Sequence, residues 1–270
     1  MDNHRLPLRR SCVCVGLSRS AWYAPPLDWT LRDAQLIAAL ARLVEARPSR
    51  GFWKCCQIVR RSDPHCNHKR LYRVYTAMGL NLRRRAKRRL PKRERVALYV
   101  PREPNSVWSA DFMSDALACG RRFRTFNVTD DFNREALHIE IDTSITSPRL
   151  IRVFEQLQRE RALPQVLRTD NGPEFLGEEF VQWAKAQGMA IQYIQPGKPN
   201  QNAFIERFNR TFREEVLDQY LFARLDDVRE ATWWWMIEYN EQRPHDSLDG
   251  LTPVECRLQL TRNSTCELST

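Results

Sequence analysis

No stretch of this chain comes near the roughly 18 consecutive apolar residues that a membrane helix needs. The amino terminus also lacks a hydrophobic signal region with a small-residue cleavage site. Both absences argue for a cytoplasmic protein with no membrane partner. No internal repeat is visible, and no long heptad zipper is present. The cysteines, at positions 12, 14, 55, 56, 66, 119, 256 and 266, are irregularly spaced in a chain too large to need disulfide staples. Free thiols are expected. Cys55, Cys56, His65, Cys66 and His68 come nearest to a metal cluster, but adjacent cysteines followed by His-Cys-x-His do not reproduce paired zinc-finger ligands.

What is present points to a folded, basic protein. Of 270 residues, 42% are hydrophobic, enough for a core; 43 Lys and Arg against 33 Asp and Glu leave a net charge of +10. Such a surplus favours a polyanion, nucleic acid above all, over an acidic small substrate. Between Arg83 and Arg95, nine of thirteen positions are basic and Glu94 is the one acid. That run reads either as a solvated linker or as a linker that also tracks phosphates, with Arg83, Arg84 and Arg85 at its head.

The hydrophobic period divides the chain. Ser18 is placed to cap a short helix over Arg19 to Tyr23, and Thr30 to cap a longer one with Leu36, Ile37, Leu40, Leu43 and Val44 on one face. A second long helix is expected from Phe52 to Arg61, and a third behind Asn67, with Leu71, Val74, Tyr75 and Met78 inward. His68, Lys69, Arg70 and Arg73 lie on its other side, which suits either a helix-turn-helix DNA reader or a bundle with a solvated face. From Trp108 the period becomes two: strands are expected over Trp108 to Ser114, Arg122 to Val128 and Ala136 to Asp142. Helix and strand then alternate: helix Leu150 to Arg161, strand Gln165 to Thr169, helix Leu176 to Gln187, strand Met189 to Ile194, helix Gln201 to about Tyr220. A mixed α/β domain follows from that order. The next apolar stripe, Val228, Ala231, Trp235 and Tyr239, is expected to pack a helix over Asp227 to Gln242 on the core, with Trp233 and Trp234 left for a subunit contact.

Three acids stand out within this frame. Asp111 interrupts an apolar strand, where an unpaired carboxylate is costly. Asp170 ends a strand and opens Asp-Asn-Gly-Pro-Glu, a tight turn. Glu206 lies on an amphipathic helix with Asn202, Asn209, Arg210 and Arg213 within about 60° of it. Taken alone, Glu206 could form an ordinary surface ion pair with Arg210. Converging carboxylates would repel, and divalent cations relieve that repulsion.

Trp-Ser-Ala-Asp-Phe-Met-Ser-Asp at 108–115, Arg-Thr-Asp-Asn-Gly-Pro-Glu-Phe at 168–175 and the segment Gln195 to Thr211 resemble the catalytic core of OrfB-type insertion-sequence transposases, a core shared with retroviral integrases. The 35 residues between Asp170 and Glu206 fit the same pattern, as do Tyr239-Asn240, Arg243-Pro244-His245, Leu248 and Thr252-Pro253. The resemblance covers about residues 67–256. It implies a ribonuclease-H-like α/β fold with a mixed five-stranded sheet, preceded by a small all-α helix-turn-helix-like region. The division it suggests is 1–82 helical, 83–104 basic linker, 105–220 catalytic core, and 221–270 a helix and tail packed on the core.

It further implies Asp111, Asp170 and Glu206 as catalytic metal ligands for two Mg²⁺ ions, or Mn²⁺ in their place. Lys198, Asn202, Arg210 and Arg213 become candidates for holding DNA beside them; Asp115 and Glu174 are expected in supporting roles. The implied reaction is cleavage of double-stranded DNA at element ends and joining to a target, by a homo-oligomer working with, or fused to, an OrfA partner. The alternative is a catalytically inactive DNA-binding relic or regulator.

Overall fold

A computed structural model describes residues 7–24, 28–81, 99–195 and 199–267. Arg83, Arg84, Arg85 and Lys198, along with the rest of the basic run, lie outside the described residues.

The amino-terminal elements are α1 (Leu8–Cys14), α2 (Arg19–Tyr23), α3 (Trp29–Arg32), α4 (Ala34–Ala46), α5 (Phe52–Ser62) and α6 (His68–Ala77). Ser18 and Asn67 cap α2 and α6 by accepting the amides of Ala21 and Lys69. Thr30 is not a cap: the helix bearing Leu36 to Val44, α4, starts behind Asp33, whose side chain makes no cap bond, and Thr30 lies inside the separate α3, where Asp28 is the cap and accepts its amide (2.9 Å) and hydroxyl (2.5 Å). An ionised carboxylate at the position before the helix outcompetes a hydroxyl two residues further in. Leu36, Leu40, Cys55, Cys56, Val59, Leu71, Val74 and Tyr75 close one small core. The described cysteines are free thiols, four of them buried. Arg70 and Arg73 are not simply a solvated face, because both bind the buried Asp33, at 2.7 and 2.5 Å.

The sheet runs β3-β2-β1-β4-β5, from β1 (Val107–Ala116), β2 (Arg122–Asp130), β3 (Ala136–Asp142), β4 (Val166–Thr169) and β5 (Ala190–Tyr193). The first three form an antiparallel meander, and β4 joins β1 in parallel with Ser109 opposite Arg168. Period-two alternation sends Trp108, Ala110 and Phe112 to one face, against α7 (Ser147–Glu160) and the helices that follow β4. Asp111 therefore points to the other face. The helix after β4 is broken into α8 (Pro173–Leu176) and α9 (Glu178–Ala186) at Gly177, whose ψ of 127° leaves the helical region; a Cβ there would meet the Ser147 hydroxyl at 2.5 Å. That break leaves Leu176 exposed rather than on the inward stripe with Phe180.

The opposite face is covered by α10 (Ala203–Phe212) and α11 (Leu225–Glu241), with Ile205, Phe208, Phe212, Val216, Trp235 and Tyr239 buried between them and the sheet. The expected single helix from Gln201 to Tyr220 is in fact a 3₁₀ turn (Pro199–Asn202), α10, and a π-helical turn (Arg213–Leu217). The wide turn directs Glu215 inward, where Trp235 Nε1 (2.9 Å) and Arg243 donate to it. Trp233 and Trp234 remain exposed on α11. The tail ends in α12 (Pro253–Glu267). It and α11 tie the amino-terminal helices down: Arg47 and Arg50 pair with Glu238, Lys54 with Asp246, and Arg61 with Glu255. Among the described residues, no helix is long and apolar enough to cross a membrane.

Candidate active site

Asp111 sits in mid-β1, paired across the ladder with Asn127 of β2. Its Oδ1 accepts the Phe112 amide at 2.9 Å and its Oδ2 accepts the Asn209 side-chain amide at 2.8 Å. Asn209 is held in turn: its own Oδ1 accepts from Asn127 Nδ2 at 2.7 Å. Two asparagines thus fix the carboxyl of a strand residue to α10. Position 209 is buried, although the helical wheel alone makes it a neighbour of Glu206 at the helix edge. The signal that could have found its role is the spacing of three between Glu206 and Asn209, combined with the strand pairing of 111 and 127, which a single sequence does not supply.

Burial pushes the Asp111 carboxyl up to about 6, and the charges of Asp170 and Glu206 push the same way; the Phe112 amide and Asn209 resist. The carboxylates acting on Asp111 are therefore the two that the sequence singles out. Asp170 follows the end of β4, and its Oδ1 accepts the Gly172 amide at 3.1 Å. Gly172 leaves room for both carboxyls: a Cβ there would come to 3.0 Å from Asp170 Oδ1 and 3.2 Å from Glu174 Oε2 and would push on them. Glu206 lies in the first turn of α10 and is exposed. Among the described residues it forms no ion pair with Arg210, so the local surface pair is not the arrangement adopted. Nor do the described residues contain a ready-closed group of three metal-ligating side chains. The acids influence one another through charge without closing into a cage, as mutually repelling carboxylates do.

The remaining candidates divide. Arg210 is exposed and has no ion pair among the described residues. Arg213 is committed to Asp115 at 3.0 Å and to the Ser114 carbonyl at 2.9 Å, bracing α10 against β1. Asn202 is buried at the start of α10, and its Oδ1 has no hydrogen-bond partner. Glu174 pairs with Arg124, whose guanidinium lies 4.2 Å from the Phe112 ring centroid. That stack fixes the wall next to Asp111.

The carboxyl-terminal signature has a structural account too. Asn240 clamps the backbone of Ala136 at the start of β3, donating to its carbonyl and accepting its amide, both at 2.9 Å. The Tyr239 ring packs edge-on against Phe208 and His245. Thr252 and Glu255 cap α12 reciprocally.

Two family models, both described as integrase core domain, match residues 101–199 and 187–253. A 31.7 kDa protein of insertion element IS407 from Burkholderia multivorans is 43% identical over 249 residues, covering 92% of this chain and 89% of that one. The putative transposase InsK of insertion sequence element IS150 from Escherichia coli K12 is 24% identical over 228 residues, 80% of each chain. In fold, the chain resembles a chain of the simian T-cell lymphotropic virus intasome solved with the PP2A subunit B56 gamma. There the TM-score is 0.52 at 16% identity, over 74% of both chains.

Proposed function

Because the chain belongs to the OrfB-type insertion-element transposases, which carry an integrase core domain, we propose that it cleaves double-stranded DNA at its element's ends and joins them to a target, with Asp111, Asp170 and Glu206 as catalytic residues. One observation carries this reading. A half-buried strand aspartate is held by Asn209 and a backbone amide, forms no ion pair among the described residues, and feels the charges of Asp170 and Glu206.

The donor set is all oxygen and fits hard cations. Asp111, Asp170 and Glu206 would hold two Mg²⁺ ions, or Mn²⁺, which when bound supply Lewis-acid activation of the attacking hydroxyl and stabilisation of the departing 3′ oxygen. With a pKa of about 6 the Asp111 proton is readily given up near neutral pH. Each Asp111 oxygen is engaged by one donor and keeps a lone pair for a further partner. Asn209 sets the plane of that carboxylate, and the Gly172 amide does the same for Asp170. None of the three acids is a nucleophile here: water attacks first, then the freed DNA 3′-hydroxyl, so no covalent protein–DNA intermediate forms. Arg210, four residues on from Glu206, is exposed, has no ion pair among the described residues, and is placed to meet a strand phosphate. Exposed Trp233 and Trp234 suit a contact between copies on the DNA.

The test uses purified chain, with and without its OrfA partner, and labelled duplex carrying the element ends in Mg²⁺. Wild type is expected to nick and join; Asp170→Asn and Glu206→Gln are expected to bind DNA but fall to background. Wild type that binds without any metal-dependent cleavage or joining, even with the partner, would make the protein a DNA-binding regulator instead.

A further inference from the structure

On a wheel at about 100° per residue, Arg207 and Phe204 fall roughly 100° and 160° round α10 from Glu206, on the flank that adjoins Arg210. That flank borders a cavity of about 150 Å³ that none of the three acids lines. Four basic residues from four separate segments surround it: Lys54 of α5, Arg134 of the β2–β3 turn, Arg207 of α10 and Arg243 of the loop after α11. Asp246 is the one acid in the wall, and Lys54 and Gln57, both at 3.1 Å, already use it. Arg243 leans on Glu215, while Arg134 donates to the Asp131 carbonyl and lies 3.4 Å from the Phe204 ring centroid. Arg207 has no ion pair among the described residues. His245 adds a second unmet group, because its buried Nε2 has no hydrogen-bond partner.

Lys54 and Arg243 already have carboxylate partners, so the cations of the wall without an ion pair among the described residues are Arg207 and Arg134, and bringing these beside the other two favours an anion between them. The cations and the imidazole come from chain positions 54 to 245, so no single helix explains their meeting. A tetrahedral phosphate offers acceptors on every side and matches both the guanidinium forks and the point charge of Lys54. The same helix presents Glu206 on its neighbouring flank, which makes a DNA strand the nearest source of that phosphate. We propose that this cavity holds a backbone phosphate of the DNA segment flanking the reacting one, with Arg207 as its principal contact; the assignment rests on the reading that Glu206 acts on DNA. The carboxyl-terminal signature then has a second purpose, since Arg243 and His245 complete the phosphate site while Asn240 anchors the segment to β3.

The test is DNA binding by the full chain in EDTA, followed by fluorescence anisotropy of a labelled duplex across a salt series. Arg207→Gln is expected to reduce the slope of log K against log salt by about 0.9, the contribution of one phosphate contact, and to weaken binding equally on unrelated sequences. Arg207→Lys should keep the slope, as should Arg224→Gln, which removes an exposed charge elsewhere. Thermal melting of each variant excludes unfolding as the cause. An unchanged slope in Arg207→Gln would overturn the proposal. So would a result in which inorganic phosphate, at matched ionic strength, stabilises wild type but not Arg207→Gln while the DNA slope stays the same, because the ligand would then be free phosphate. Metal-free binding separates the two readings: a chain that shows the Arg207 effect but never cleaves keeps the phosphate site and loses the catalytic reading.

Discussion

At the turn between β2 and β3, Asp131 faces Arg168 at 2.7 Å with both side chains almost wholly buried. Beside it Glu135 meets Arg161 at 3.1 Å and Arg257 at 3.2 Å. Asp130 accepts the amides of Asn105 and Phe132. In the middle of β1, on the same sheet, Asp111 receives an asparagine, one amide and the fields of two further acids. Two of the three acids at the turn, Asp131 and Glu135, are paired with arginines and bind the fold together, whereas Asp130, held by two amides and pushed up to about 6 by burial, resembles Asp111. Asp111, Asp170 and Glu206 form no ion pair among the described residues. What separates Asp111 from the wholly buried Asp130 is its half-open position beside two further acids, which on the proposed reading is where a cation would be drawn.

The comparison breaks most severely at Asp131. Asp131→Ala leaves the Arg168 guanidinium buried and unpaired, and is expected to cost about 3–5 kcal/mol in denaturant unfolding. The double replacement Asp131→Ala with Arg168→Met should recover much of that loss, since removing a buried pair together is far milder than removing half of it. A double variant as unstable as the single one would show that Asp131 acts through something other than Arg168.

Asp111→Asn should act in the opposite direction. In the metal-free chain the folded carboxyl titrates at about 6 against 3.8 for the ordinary group. The folded state thus holds its proton more tightly, and wild-type stability falls as pH rises from about 4 through 6. Asparagine removes that penalty. In EDTA the variant should therefore exceed wild type by about 1–3 kcal/mol above pH 6 and lose the advantage below pH 4, while strand transfer disappears. Equal stability at pH 7.5 would mean that Asp111 is not strained by its surroundings.

Asn209→Ala sharpens the contrast further, because it removes the donor to Asp111 but no charge. An outer partner of this kind is worth about 10–100-fold, read as a rise in the Mg²⁺ concentration needed for half-maximal cleavage. A lowered rate with an unchanged Mg²⁺ requirement would assign Asn209 to packing alone.

These residues also mark what was legible in the sequence. The β1–β3 meander, the Asn67 cap and the apolar arc of α10 could be read directly because each depends on a local period or a local hydrogen bond. Asp111, Asp170 and Glu206 were visible as acids in unusual settings, and the 35-residue gap tied two of them together. What escaped depends on contacts between distant segments. The clamp of Asn127 on Asn209 needs the strand register, and the cavity of Lys54, Arg207 and His245 needs α5 to lie beside α10. Thr30 and Leu176 failed for local reasons: the expected helix is split into α3, capped by Asp28, and α4, which starts only at Ala34, and Gly177 interrupted the helical period.

The smallest effect is expected where an ion pair is half in water. Arg61 forks onto Glu255 at 3.1 and 2.7 Å, joining α5 to α12, with the side chains 35% and 43% exposed. Solvent screening at that exposure limits the pair to less than about 1 kcal/mol. Glu255 has a second duty, since it accepts the Thr252 amide at 2.8 Å and so completes the cap of α12. Arg61 has one as well, donating to the Gly250 carbonyl at 2.9 Å, so Glu255→Ala and Arg61→Ala should each cost about 1 kcal/mol, and only the shared part should vanish in high salt. A double-mutant cycle at two salt concentrations measures both contributions. If Arg61→Ala alone cost as much as Asp131→Ala, the docking of α5 on the tail would be a buried interaction, and the contrast between acids fixed from within and acids open to solvent would not extend to this interface.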